Sequence, residues 1–286
     1  MCRSRDLKFI YIFVALFGLL LVSNETAEAR SSNPGLKSRI GLVVDLDSEQ
    51  VLYEKNADES VPIASITKLM SAMVLVDSGA PLLESITITK EDIDRYKGSR
   101  SKLQTGTTLL RAEALKLALM ASEHRAAAAL SRVFPGGKLA FVAAMNEKAV
   151  VLGMENSFFV DSTGLRPGNV SSARDLLKLI RASMDYPLIK QYSTTREFKL
   201  IAKRGKRKVN LSYVNSNRLV RNSRWDIGLQ KTGYISEAGQ CLVMQTTVTG
   251  KSIAMIFLDS WGKLTRLGDA GRTRRWLERR AASKNN

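Results

Sequence analysis

The chain changes texture twice, and that change limits its fold more than any single motif does. Apolar residues fall in short strand-like runs near the start, at helical spacing from Ala64 to Met184, and in strand-like runs again after Pro187. At the front, Ile40 to Asp45 and Val51 to Glu54 flank Asp47-Ser48-Glu49, a hairpin signal. The central block predicts helices over Ala64 to Val76, Leu109 to Met120, Arg125 to Val133 and Leu139 to Leu152, with breaks at Pro135-Gly136-Gly137 and Gly153. Ser172-x-x-Asp175 caps a further helix running to about Met184. Candidate strands then cover Thr194 to Ile201, Lys208 to Leu211, Gly228 to Thr232, Cys241 to Thr249 and Ser252 to Leu258, and Arg266 to Ala282 closes the chain as a helix. Each strand must bury a face, so the expectation is an α/β (α+β) fold. The late strands join the first hairpin in one antiparallel sheet, covered by the terminal helix and the helical block.

Ahead of that plan, residues 1–29 read as a cleaved signal peptide. Arg3, Arg5 and Lys8 form a basic start, Phe9 to Val22 is apolar, and Ala27-Glu28-Ala29 supplies small residues for cleavage. The apolar run is shorter than the roughly 20 residues a membrane span needs. One domain is expected over residues 30–286, exported to the periplasm, with at most peripheral membrane contact. Ala282 lies close to the last residue, so no second domain or membrane-lying helix is expected.

The formal charge of +17 calls for an acidic partner. For an exported chain that partner is anionic cell wall or lipid headgroup, and nucleic acid is not expected. The surplus gathers at Lys203, Arg204, Lys206, Arg207 and Lys208, and at Arg272, Arg274, Arg275, Arg279 and Arg280.

Scarcity then narrows the chemistry. Past the leader only Cys241 and His124 remain of their types, so there is no internal disulfide and no zinc site built on several Cys and His ligands. No metal and no cofactor are expected. A hydrolase built this way draws its base from Lys, Glu or Asp, unless His124 supplies it.

Pro62-Ile63-Ala64-Ser65-Ile66-Thr67-Lys68 places a serine at the entrance of an apolar helix, with a lysine one turn on. A serine hydroxyl is a poor nucleophile until a nearby base takes its proton, and a lysine can be that base once burial or a second cation lowers its pKa. The same spacing recurs at Ser99-Arg100-Ser101-Lys102 in a polar stretch, so the motif alone is weak. Order strengthens it: Ser122-Glu123-His124 follows at a helix junction, and Lys231-Thr232-Gly233 lies late, at the end of a strand-like run. Such a strand offers a cation, a hydroxyl for a substrate carboxylate, and a glycine permitting close backbone approach.

These three motifs resemble those of the penicilloyl-serine enzymes, the penicillin-binding proteins and class A β-lactamases. The longer segments Leu119 to Ala127, Thr163-Gly164-Leu165, Tyr186 to Ile189, Lys231 to Tyr234 and Ala238 to Met244 are similar to D-alanyl-D-alanine endopeptidases of the penicillin-binding protein 7 type. The resemblance implies a three-layer β-lactamase/DD-peptidase-like fold with a helical lobe. It implies Ser65 as nucleophile, Lys68 as its proton acceptor and Ser122 as a relay. His124, Lys231, Thr232, Gly233 and Tyr234 would contact substrate, with the N–H groups of Ser65 and Tyr234 as oxyanion hole. Peptidoglycan would be the substrate, cut at D-alanyl bonds in its cross-links, and β-lactam antibiotics the covalent inhibitors.

Two rivals follow from the same residues. A class A β-lactamase needs a carboxylate to activate the deacylating water, and residues 155–175 hold Glu155, Asp161 and Asp175, none in the pattern of that role. A non-catalytic wall-binding or drug-binding protein would suit the departure at His124, where the superfamily has Asn. Neutral imidazole imitates the amide, with one N–H donor and one bare nitrogen, whereas imidazolium does not. The expectation is therefore an acylation rate that falls in mild acid as His124 gains a proton.

Overall fold

A computed structural model describes residues 33–284; the leader expected over residues 1–29 lies outside them. Strands β1 (Ile40–Asp45) and β2 (Val51–Lys55) form the expected hairpin, and β3 (Val61–Pro62) leads into a 3-10 turn, Ala64–Thr67, and helix α1 (Lys68–Asp77). Next come β4 (Ser85–Thr87), β5 (Thr107–Leu110), α2 (Arg111–Met120), α3 (His124–Arg132) and α4 (Gly137–Val151). After β6 (Val170–Ser171), α5 (Ala173–Met184) starts where predicted, its Ser172 hydroxyl accepting from Asp175 N at 3.1 Å. Then follow α6 (Pro187–Ser193), β7 (Glu197–Arg204), β8 (Arg207–Val214), β9 (Asp226–Ile235), β10 (Gly239–Val248), β11 (Lys251–Ser260) and α7 (Thr265–Lys284).

The central antiparallel sheet has the order β2-β1-β11-β10-β9, so the ends of the chain meet in its middle. Period-2 alternation divides its side chains between two cores. Ile40, Leu42, Val44, Cys241, Val243, Ala254, Ile256 and Leu258 face the helical block. Val43, Leu242, Met244, Ile253, Met255 and Phe257 face the opposite way, against Ala270, Trp276 and Leu277 of α7. That is the three-layer arrangement expected from the resemblance. Among the described residues no helix is long and apolar enough to cross a membrane.

Three expectations need correction. The hairpin β7–β8 does not join the central sheet; it pairs with β5, which pairs with β4, in a second four-stranded sheet at the helical lobe. One face of this hairpin, with Phe198, Leu200, Ala202, Val209, Leu211 and Tyr213, packs towards the helical core and the other is exposed, so its alternation marks strands without saying which sheet they join. The segment after Pro187 begins as helix α6 before turning to strand, with proline at the first helical position, where its missing N–H costs nothing. Lys231 to Gly233 sit inside β9, not at its end, because the strand continues to Ile235.

Candidate active site

Ser65 belongs to the 3-10 turn, not to α1 itself, and is almost fully buried. Two glycines account for the geometry of that turn. A Cβ on Gly233 of β9 would lie 2.8 Å from Ile63 O and 3.2 Å from Ser65 N. A Cβ on Gly164, held at φ +73°, would fall on the Ala64 carbonyl and 2.9 Å from Ser65 N. The backbone of the turn is thus gripped from both sides at positions only glycine fits. Ala64 (φ +48°) and Ser122 (φ +59°) adopt the left-handed conformation beside the site, and such strain persists where its surroundings over-determine it.

Lys68 opens α1 one turn after Ser65. Its Nζ lies 2.9 Å from Ser65 Oγ, donates to Thr163 O at 2.5 Å and sits 3.3 Å from His124 Nδ1. Burial pushes its pKa from the ordinary 10.5 down to about 7, while the carboxylates of Asp161 and Glu123 pull the other way. On β9, Lys231 Nζ donates to Ser122 Oγ at 3.0 Å and to Thr232 O at 2.8 Å. Burial, helped by the charges of Lys68 and Arg266, holds Lys231 well below the usual lysine value. The structure therefore brings two hydrogen-bonded groups together, Ser65–Lys68–His124 and Ser122–Lys231, close enough for the charges of Lys68 and Lys231 to act on each other and on His124. Thr232 stands beside it on β9, its hydroxyl 2.7 Å from Ser216 Oγ, and Tyr234 is exposed at the rim.

His124 behaves differently from its expectation. Burial first, then the charges of Lys68 and Lys231, push its pKa down to about 2, so the ring is neutral throughout mild acid. In the tautomer whose Nδ1 accepts from Lys68, Nε2 carries the hydrogen. One acceptor and one donor are what the amide of Asn would present. A pKa that low favours the neutral ring near pH 6 and places the group that titrates there elsewhere, with Lys68, at about 7, the nearest candidate.

The resemblance included the loop at Thr163-Gly164-Leu165, but sequence reasoning gave its groups no role in the site. Thr163 contributes a carbonyl, which has no side-chain signature. Asp161 fixes that carbonyl: its Oδ1 accepts from Thr163 N (2.5 Å), Thr163 Oγ1 (2.7 Å) and Gly164 N (2.7 Å), and its Oδ2 from Arg166 N (3.0 Å) and Asn169 Nδ2 (2.9 Å). Burial alone would raise the Asp161 carboxyl, but these bonds hold it below the usual value. Ser71 of α1 ties the helix to the loop through Ser162 O at 2.8 Å. Asp175 is likewise occupied, accepting from Asn156 N at 2.7 Å and Ser157 Oγ at 2.9 Å. Among the described residues no group of three or more His, Cys, Asp or Glu could hold a metal ion.

Comparison with known proteins bears on this geometry. A family model described as D-alanyl-D-alanine carboxypeptidase, peptidase S11, matches residues 27–261. The chain is 45% identical to a D-alanyl-D-alanine endopeptidase of Pseudomonas aeruginosa, over 96% of this chain and 89% of the relative. It is 43% identical to the D-alanyl-D-alanine endopeptidase of Escherichia coli, over 93% and 88%. The crystal structure of the Streptomyces K15 DD-transpeptidase superposes with a TM-score of 0.79 at 25% identity, covering 85% of this chain and 98% of that one.

Proposed function

The chain belongs to the D-alanyl-D-alanine carboxypeptidase family of serine peptidases, and from that premise we propose that it is a D-alanyl-D-alanine endopeptidase acting on peptidoglycan cross-links through an acyl-enzyme on Ser65. The observation that carries the assignment to Ser65 is the 2.9 Å separation of Ser65 Oγ from a fully buried lysine whose pKa lies near 7. At neutral pH about half of such a lysine is unprotonated and ready to accept a proton, whereas an ordinary lysine almost never is.

In the proposed first step Ser65 Oγ attacks the D-alanyl carbonyl as its proton passes to Lys68. The N–H groups of Ser65 and Tyr234 receive the developing oxyanion; the grip of Gly233 on Ser65 N supports the close approach this needs. Ser122, hydrogen-bonded to Lys231, relays the proton towards the leaving amine. Lys231 and Thr232 hold the substrate carboxylate, and His124 supplies a donor from Nε2. Water then cleaves the acyl-enzyme. Asp161 spends its oxygens on residues 163–169 and Asp175 accepts from Asn156 and Ser157, which favours a peptidase with a long-lived penicilloyl intermediate over a β-lactamase. The basic start and apolar run of residues 1–29 support export to the periplasm, where this substrate lies.

The test is covalent labelling. A penicillin is expected to add one equivalent to the wild type, mapped by mass spectrometry to Ser65 and lost in Ser65→Ala. An adduct elsewhere, or none at saturating drug, overturns the assignment. Release of monomers from purified cross-linked muropeptides tests the endopeptidase step.

A further inference from the structure

Beside the reaction centre lies a groove of about 850 Å³ that none of these roles employs. Its inner end is shared with the site, since His124 and Thr163, both within reach of Lys68 Nζ, line it. Its other walls come from residues 90–96, α3, the first turns of α4 and the 160–166 loop, and none from β9. The floor is apolar, with Ala128, Val142, Val160 and Leu165.

The charges around that floor are unequal. Asp92 is paired with Arg132 at 2.9 Å, Asp94 accepts from the N–H groups of Tyr96, Lys97 and Ser99, and Asp161 is consumed by its own loop. Arg95 and Arg166 are exposed, and among the described residues neither guanidinium has a partner. Lys90 and Lys138 line the groove as well, Lys138 donating to Glu91 O at 2.6 Å, and Glu91 is the one lining carboxylate with no hydrogen bond or ion pair to its side chain among the described residues, although Arg132 senses its charge. An apolar channel with two free guanidiniums beside a lone carboxylate suits a peptide rich in carboxylates.

Geometry says which peptide. β9 is the edge of the central sheet, where one extended peptide can add beyond Gln230, whose own N–H already donates to Ser193 Oγ. A cross-link, however, joins two stem peptides at the scissile bond, so a second peptide must leave the centre in another direction. We propose that the groove holds this second, carboxylate-bearing stem peptide, and that Arg95 and Arg166 determine specificity for cross-linked substrate. This rests on the endopeptidase reading above.

The experiment compares wild type, the double variant Arg95→Gln/Arg166→Gln, and Glu91→Gln. For each, kcat/KM on a purified cross-linked muropeptide dimer is divided by the rate of acylation by benzylpenicillin, a ligand too small to fill both branches. The ratio is expected to fall roughly tenfold in the double variant, as two exposed charge contacts are lost, with KM carrying the change. Removing the unpaired carboxylate should move it the other way, upward by about twofold. Opposite signs are what general damage to the fold would not produce. Ratios that stay at the wild-type value, or fall in both variants, overturn the inference while leaving the endopeptidase intact. A wild type that is acylated but cleaves no dimer overturns the endopeptidase reading, and this one with it.

Discussion

Replacing Lys68 by methionine should make the protein more stable at neutral pH while abolishing its reactivity. The buried amine has a pKa near 7 in the folded state, against the ordinary 10.5 of an unfolded chain. Unfolding therefore takes up a proton at any pH between those values, and the buried lysine opposes folding there. The penalty is absent above about pH 10.5 and complete below about pH 7. It amounts to about 4 kcal/mol at pH 7 and about 1 kcal/mol at pH 10. Methionine has a similar length and needs no partner, but it deprives the buried Thr163 carbonyl of its donor, a loss of about 1–3 kcal/mol. Lys231 is present in both proteins, and its own burden lightens once the neighbouring charge is gone, which adds to the gain. The net expectation is a variant about 1–3 kcal/mol more stable at pH 7, losing that advantage by pH 10. Urea unfolding of both proteins at pH 7, 8.5 and 10 reads it directly. An advantage that does not shrink as the pH rises would refute a lysine held neutral by burial, and with it the case for Lys68 as the base.

The remaining predictions are briefer. Acylation by penicillin should slow as the pH falls below about 7, since Lys68 must be neutral to accept the proton, and His124→Asn should leave that limb in place because the ring stays neutral to about pH 2; a limb displaced by His124→Asn would return it to the imidazole. Gly164→Ala should lower acylation by about 10²-fold, because its Cβ must push the Ala64–Ser65 backbone by about 1 Å; an unchanged rate would show that the turn is free to move. Binding to isolated sacculi should weaken as salt rises, and weaken further when Lys206, Arg207 and Lys208 on the exposed β7–β8 tip are changed to Gln. Salt-independent binding would detach the basic surplus from wall association.

Residue types were legible where chemistry demands them, and strands were legible where their apolar runs are long. β1, β10 and β11 are buried on both faces, so they read as near-continuous apolar runs whose successive side chains divide between two cores. The strands of the second sheet carry a weaker signal: β7 alternates exposed Glu197, Lys199 and Lys203 with inward Phe198, Leu200 and Ala202, but β8 buries only Tyr213 fully and β4 is three residues long. Their pairing depends on partners far along the chain, which local pattern does not encode. Helix α6 is seven residues long and contains Ile189 and Tyr192, types that equally suit a strand.

The same division runs through the site. Ser65, Lys68 and Lys231 announce themselves because a nucleophile, a base and a cation must be side chains. The groups that shape their reactivity are mostly backbone. Lys68 is oriented by the carbonyl of Thr163, which any residue could supply, and that carbonyl is aimed by Asp161 from within a loop. The nucleophile turn is gripped by Gly233 and Gly164, one in a motif that invites inspection and the other in a loop that does not. Both grips act mainly on the backbone of residues 63–65, with only the Ala64 Cβ among their side chains meeting Gly233, so the side chains of the motif say little about them. What distinguishes a reactive Ser-x-x-Lys from the one at Ser99 to Lys102 is therefore written elsewhere in the chain. It lies in the glycines and the buried carboxylate that bring Lys68 Nζ to Ser65 Oγ and hold it out of water.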